Sequence, residues 1–218
     1  MGIDSQDKNE YDQTALDLFW STRFMENSDE KIQGAFQITN IVSSVSLKTQ
    51  INLDLLAQKY QEVEYNINNF PGVRIRFTKP KCTALLYKNG EMIITGIKKI
   101  EFIPVIINKV VNNLKSNNIS VPENPSFRIV NMAVSGHLKK RIDLNLASVV
   151  LERTIYEPEV FPGMVLRMDE PHRCVFLCFS NGKFVLTGLT EKIQIKESVI
   201  SFGNLIKNND LFLLEDEL

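Results

Sequence analysis

One block of sequence occurs twice, 91 residues apart. FQITNIVSSV begins at Phe36 and FRIVNMAVSG at Phe127. Tyr65, Phe70, Pro71, Gly72, Arg76 and Pro80 return 91 positions later as Tyr156, Phe161, Pro162, Gly163, Arg167 and Pro171. One extra residue in the second copy then shifts the spacing. Tyr87-Lys88-Asn89-Gly90 returns as Phe179-Ser180-Asn181-Gly182, and Thr95-Gly96 as Thr187-Gly188. The period exceeds the roughly 20–50 residues of solenoid repeats, so the repeating unit is a whole half-domain. Such a duplication predicts a pseudo-two-fold fold and a working surface built from equivalent positions of both halves.

Each copy reads the same way. A β-branched run opens it, Ile38 to Val45 or Ile129 to Val134. A short amphipathic helix follows, with Leu53, Leu55, Leu56 and Tyr60, or Leu144, Leu146, Val149 and Val150. Asn52 and Asp143 suit its N-caps. Next come the Phe-Pro-Gly turns and a run of strands whose last two are joined by Asn89-Gly90 or Asn181-Gly182. Asn-Gly between alternating runs is a strong hairpin signal. Longer helices over roughly 100–117 and 191–207 close the copies, and Ser120 to Pro125 links them. The expected architecture is α+β: two repeats, each a strand, a helix, a four-stranded antiparallel meander and a helix. The helices cover one sheet face and leave the other bare or for a ligand.

Side chains alternate across a strand, so the two faces can be separated on paper. Cys82, Ala84 and Leu86 take one face, and Thr83, Leu85 and Tyr87 the other. Cys174, Phe176 and Cys178 oppose Val175, Leu177 and Phe179 in the same way. Ile93 goes with Thr95, Val185 with Thr187, Asn40 with Val42, and Asn131 with Ala133. The three cysteines are assigned to the helix side as small buried hydrophobes, which argues against a metal site with His172. No metal or other cofactor is expected. The other set makes a mildly apolar floor carrying asparagine and threonine. Arg76, Lys81, Arg167, Arg173 and Lys183 rim it. An apolar floor with a cationic rim fits a wide, shallow minor groove, with phosphates outside it. A protein-protein surface or a dimer seam is the alternative.

Charge is unevenly distributed. Residues 1–35 hold eight acids and three bases, residues 36–209 hold 22 bases and 14 acids, and residues 210–218 hold four acids. A basic core between acidic ends admits nucleic acid as a partner. No apolar run is long enough to span a bilayer. The segments divide as an acidic arm (1–35), repeat one (36–120), repeat two (121–209) and an acidic tail (210–218). The arm's apolar patch, Leu16 to Trp20, predicts a short helix in a flexible segment that could fold over the open face.

The chain resembles the TATA-box-binding protein family over nearly all of 36–209. The residues that carry the resemblance are Asn40-Ile41-Val42-Ser43, Phe70-Pro71-Gly72-Val73, Thr83 to Tyr87, Thr95-Gly96, Asn131-Met132, Tyr156 to Gly163, Phe179 to Lys183 and Leu186-Thr187-Gly188. The resemblance implies a saddle whose concave sheet binds AT-rich promoter DNA in the minor groove. It implies wedge pairs at Phe70 with Tyr87 and at Phe161 with Phe179. It implies base-bonding asparagines at Asn40 and Asn131, with Thr95 and Thr187 beside them. Val42, Leu85, Ile93, Leu177 and Val185 match the apolar floor. Glu157 and Glu159 match the loop that receives transcription factor IIB. Transcription factor IIA, TBP-associated factors, the RNA polymerase machinery, a nuclear location and self-association through the concave face follow from the same resemblance. No catalysis is implied.

Several positions depart from the family pattern. Tyr87 replaces a wedge phenylalanine, Ala133 replaces a valine, and Glu91 and Glu170 stand where the family is usually basic. Acids near phosphates predict weaker DNA binding than in strongly basic relatives. They also motivate the alternative of a divergent factor that acts mainly through protein partners.

Overall fold

The computed structural model describes residues 35–60 and 63–213. Repeat one begins with strand β1 (Ala35–Ser46) and helix α1 (Leu53–Lys59). The meander β2 (Val63–Tyr65), β3 (Gly72–Thr78), β4 (Lys81–Tyr87) and β5 (Glu91–Ile97) follows, then helix α2 (Phe102–Ser116). Repeat two retraces this path through β6 (Phe127–His137), α3 (Leu144–Val150), β7 (Thr154–Ile155), β8 (Gly163–Met168), β9 (Cys174–Phe179), β10 (Lys183–Leu189) and α4 (Lys192–Asn208). The sequence pattern and the structure agree on this order.

All ten strands form one sheet, in the order β2-β3-β4-β5-β1-β6-β10-β9-β8-β7. The order is a palindrome about the β1–β6 seam, and all its pairs are antiparallel. At the seam Asn40 faces Ala133, Ile41 faces Met132 and Val42 faces Asn131. Each asparagine therefore lies across from the other copy's small apolar residue.

The long helices form because their apolar residues recur at helical spacing. Ile103, Ile106, Ile107, Val110, Val111 and Leu114 are the buried positions of α2. Ile195, Ser198, Val199, Phe202, Gly203 and Ile206 occupy the same spacing in α4. These stripes pack onto the sheet face that carries Ile41, Ala84, Leu86, Met92 and Ile94 in repeat one and Phe176, Phe184 and Leu186 in repeat two. A capping box between Glu191 and Gln194 starts α4. Asn52 and Asp143 cap the short helices, accepting from the N–H of Leu55 and Leu146 at 3.0 Å each.

The short helices differ from the expected apolar faces. Only Leu53 and Leu56 of α1, and Leu144 and Ala147 of α3, are buried. Leu55, Leu146, Val149 and Val150 are exposed. Two turns of helix can press only one i, i+3 pair against the sheet, so the remaining apolar residues face outward. The acidic arm and its expected helix lie outside the described residues. Within the segment assigned to the acidic tail, Leu211 is fully buried, and Leu213 N–H donates to Arg141 O.

Candidate nucleic-acid interface

The face opposite the helices carries no covering element among the described residues. Strand alternation puts the sequence-predicted site residues there. Half-buried positions alternate with fully buried ones along β4, β5, β9 and β10. Strand register then aligns them in rows. One row runs Arg76, Thr83, Thr95, and its counterpart in repeat two runs Arg167, Val175, Thr187. A second runs Arg74, Leu85, Ile93, Ser44, matched by Val165, Leu177, Val185, Ser135. Asn40, Val42, Asn131 and Ala133 fill the centre. Lys81 and Lys183 stand on the same face by strand alternation, Arg173 directly precedes β9, and all three are exposed. Glu91 shares the face of Ile93, where repeat two has Lys183 beside Val185.

Each central asparagine is oriented by backbone. The Gly96 N–H donates to Asn40 Oδ1 at 2.7 Å, and the Gly188 N–H donates to Asn131 Oδ1 at 2.9 Å. These bonds fix which end of the amide is oxygen. Asn131 Nδ2 then lies 3.0 Å from Thr187 Oγ1, and Asn40 Nδ2 lies 3.4 Å from Thr95 Oγ1. An amide nitrogen has two protons, so one can go to threonine while the other points off the sheet. The glycines are required because both have positive φ, +91° at Gly96 and +102° at Gly188. Their orienting role was not read from the sequence, although the Thr-Gly pairs signalled something special at these positions.

The aromatic pairs sit at the two ends of the face. Phe70 and Tyr87 have ring centroids 5.5 Å apart at 56°, and Phe161 and Phe179 are 6.0 Å apart at 66°. Each pair straddles a glycine. A Cβ on Gly72 would stand 3.0 Å from Phe70 and 3.2 Å from Tyr87. On Gly163 it would stand 2.6 Å from Phe161. The Pro-Gly of the turn therefore leaves bare backbone under the rings. Phe161 remains 45% exposed even so, a large apolar surface at the end of the sheet.

Two charged residues missed in the sequence reading belong to this face. Arg74 carries its guanidinium 4.7 Å from the centroid of Phe70. Glu64, directly across from Arg74 in the β2–β3 pair, forms a two-pronged ion pair with Arg76. The Arg76 guanidinium holds the Glu64 carboxyl below the usual carboxylate range, and the carboxylate raises Arg76 in turn. The signal was available as alternation: Arg74 is two residues from Arg76 on the same strand.

The cysteines lie on the helix side as expected. Cys82, Cys174 and Cys178 are all buried and free. Burial pushes the Cys82 thiol up to about 11, and it pushes Cys174 and Cys178 up as well. Glu157 and Glu159 are exposed in the turn between β7 and β8, where the Glu157 carbonyl accepts from Val160 and Phe161 N–H.

The arrangement presents amide and hydroxyl donors at its centre, apolar surface around them, aromatic rings at both ends and cations along the rim. It suits a long, narrow partner with acceptors in the middle and anions at its sides. The family model described as "Transcription factor TFIID (or TATA-binding protein, TBP)" matches residues 35–117 and 126–209. The TATA-box-binding protein of Pyrodictium occultum is 42% identical over 184 residues, covering 84% of this chain and 92% of that protein. That of Aeropyrum pernix is 36% identical over 194 residues, covering 87% and 95%. The solved structure of Methanococcus jannaschii TBP superposes with a TM-score of 0.73 at 35% identity, covering 79% of this chain and 98% of that one.

Proposed function

The chain belongs to the TATA-binding protein family, and on that premise we propose how its concave face works as a general transcription initiation factor on promoter DNA. The observation that carries the reading is the pair of asparagine–glycine–threonine clusters centred between two aromatic pairs on one continuous sheet.

Asn40 and Asn131 donate to the base acceptors of the minor groove. A·T pairs offer only acceptors there, whereas G·C adds an amino donor that would meet the asparagine donors head-on. Val42, Ala133, Leu85, Ile93, Val175, Leu177 and Val185 press on the groove floor, and Thr83, Thr95 and Thr187 add contacts between them. Phe70 with Tyr87, and Phe161 with Phe179, wedge between base steps at the two ends. Minor-groove wedging has this family as one of its reference cases, and the unstacking costs a few kcal/mol per step. Pyrimidine–purine steps unstack most readily, which favours TA-containing sites. Arg76, Lys81, Arg167, Arg173 and Lys183 line the phosphate path, and those without a carboxylate partner make binding salt-dependent.

The bent DNA then nucleates the preinitiation complex. Glu157 and Glu159 are exposed acids on one turn, which suits a basic surface on transcription factor IIB. Helix α2 is a poor basic dock. Its Lys109 already donates to Lys79 O at 2.7 Å, and its Lys115 pairs with Glu123 at 3.1 Å. Transcription factor IIA, TBP-associated factors and the RNA polymerase machinery are the further partners in this reading. The family is a non-enzymatic DNA-binding factor. No helix among the described residues is long and apolar enough to cross a membrane. The place of action is the chromosomal promoter. A nuclear location is the form this takes in a nucleated cell, and the relatives named above are archaeal.

The test is a titration of fluorescent TATA-containing and scrambled duplexes at two salt concentrations, with a bend readout by end-to-end energy transfer. Tighter, bent binding of the TATA duplex is expected. Folded protein that binds no AT-rich duplex at low salt would overturn the reading and favour a factor acting through protein partners.

A further inference from the structure

The rim is not symmetric. In repeat one the guanidinium of Arg76 is taken. Its Nε lies 2.8 Å from Glu64 Oε1, and its Nη2 lies 3.2 Å from Glu64 Oε2. In repeat two, Ile155 stands in the place of Glu64 and Val165 in that of Arg74. The pairing Ile155↔Val165 repeats Glu64↔Arg74. Arg167, the counterpart of Arg76, has no side-chain partner among the described residues and is exposed. The duplicated framework therefore presents one occupied and one open guanidinium at equivalent positions.

A carboxylate that grips a guanidinium with both oxygens uses the same planar fork that a phosphate uses. We propose that Glu64 acts as an internal stand-in for DNA phosphate, holding Arg76 until DNA displaces it. Repeat two then engages first, and the two ends of the site become unequal. This rests on the concave face being the DNA surface. Glu64 is a positioning residue, since it acts through Arg76.

The geometry makes displacement feasible. Glu64 and Arg76 keep 53% and 66% of their side-chain surface open to water, so the pair is an exposed one and holds weakly. Phosphates along the groove edge offer a denser array of anions than one carboxylate. The released Glu64 then faces that backbone, with Arg74 beside it as the nearest cation. In the free protein Arg76 is already neutralised, so its contact with phosphate adds little to the net counterion release. Arg167 adds its full share.

The experiment measures TATA-duplex affinity against salt for the full chain and its variants. Glu64→Gln should tighten binding about two- to fivefold at low salt, the scale of an exposed ion pair. It should also steepen the log K against log salt slope by about 0.9, the share of one added phosphate contact. Glu101→Gln removes a negative charge beside the start of α2, on the helix-covered side, and should leave the slope unchanged. In the wild-type background Arg167→Ala should flatten the slope by about 0.9 while Arg76→Ala changes it little. In the Glu64→Gln background the two alanine variants should become equal. Glu64→Asp keeps the charge but loses the two-pronged reach, so it should keep the low affinity while raising the effect of Arg76→Ala. Orientation, read from cleavage by a reagent tethered near one wedge, should become less one-sided in Glu64→Gln. Unchanged slope in Glu64→Gln together with equal effects of Arg76→Ala and Arg167→Ala in the wild type would overturn the inference and leave DNA binding intact. A folded wild type that binds no duplex overturns both readings together.

Discussion

Repeat one and repeat two share a backbone plan but solve their interiors differently. The sheet–helix core of repeat two is built on three interlocked phenylalanines. Phe176 stacks on Phe202 with centroids 4.3 Å apart at 20°, and Phe184 meets them at 5.6 and 5.5 Å. The equivalent positions of repeat one are Ala84, Met92 and Val110, all equally buried. The exchange is compensated across the strands. Val45 pairs with Met92 in repeat one, and Gly136 pairs with Phe184 in repeat two. A Cβ on Gly136 would lie 2.2 Å from the Phe184 ring, so the larger ring requires the missing side chain. The glycine offsets only part of the added ring volume, so repeat two packs a larger and differently shaped set of side chains at close-packed density. The open face diverges with less constraint. There Glu91 faces the place of Lys183, Tyr87 that of Phe179, and Arg74 that of Val165. The lesson is that duplication preserves the geometry of a surface while each half tunes its own chemistry.

The comparison can be broken most decisively in the core. Phe176→Ala should cost about 3–5 kcal/mol of unfolding free energy, since it removes a stacked ring and leaves a cavity. The change should appear as a lower denaturation midpoint with an unchanged slope. A loss under 1 kcal/mol would show that the aromatic trio is not the anchor of repeat two.

On the open face, Asn131→Ala should weaken TATA binding by about 1–3 kcal/mol, roughly 5- to 150-fold. Asn40→Ala should weaken it less, because its threonine bond is longer, 3.4 Å against 3.0 Å. Equal losses in a binding titration would show that the two clusters read DNA alike.

Tyr87→Phe makes the first wedge chemically like the second. It should tighten binding by up to about fivefold, about 1 kcal/mol, because no hydroxyl must then be desolvated at the kink. Weaker binding would show instead that the hydroxyl finds a partner on DNA.

The smallest effect is alkaline. Cys82 has its thiol raised to about 11 in the fold from an ordinary 9.0, so the folded chain holds this proton more tightly than the unfolded chain does. The associated stability is complete below pH 9 and is lost as pH rises toward about 11. Repeat two carries two such raised thiols, Cys174 and Cys178, against one in repeat one. Cys174→Ala combined with Cys178→Ala should therefore reduce the alkaline slope of thermal unfolding more than Cys82→Ala does. An equal reduction would remove this contrast.

Much of the fold was legible because its signals are local. The Asn-Gly hairpins, the caps Asn52 and Asp143, and the helical stripes of α2 and α4 need only a few neighbouring residues to be recognised. The two-face assignment was equally local, since period-two alternation separates Cys82 from Thr83 whatever the sheet packs against. What escaped was relational. Arg74 is one residue among many cations until β2 places Glu64 across from it. Gly96 is one half of a repeated Thr-Gly pair until the fold brings its N–H to Asn40, 56 positions away in the chain. The exposure of Val149 and Val150 likewise depends on how little of a two-turn helix the sheet can cover.

The sequence by itself determined the duplication, the alternation that sorts core from open face, and the residue types that an acceptor-lined groove would need. Those properties are fixed by spacing along one chain, where covalent geometry sets which side chains share a face. The tertiary structure decided which groups meet: each asparagine across from the other copy's small residue, Gly136 under Phe184, and a carboxylate on Arg76 but, among the described residues, none on Arg167. These depend on strand register between segments distant in sequence. Register is chosen by the summed burial of the whole sheet rather than by any one local pattern.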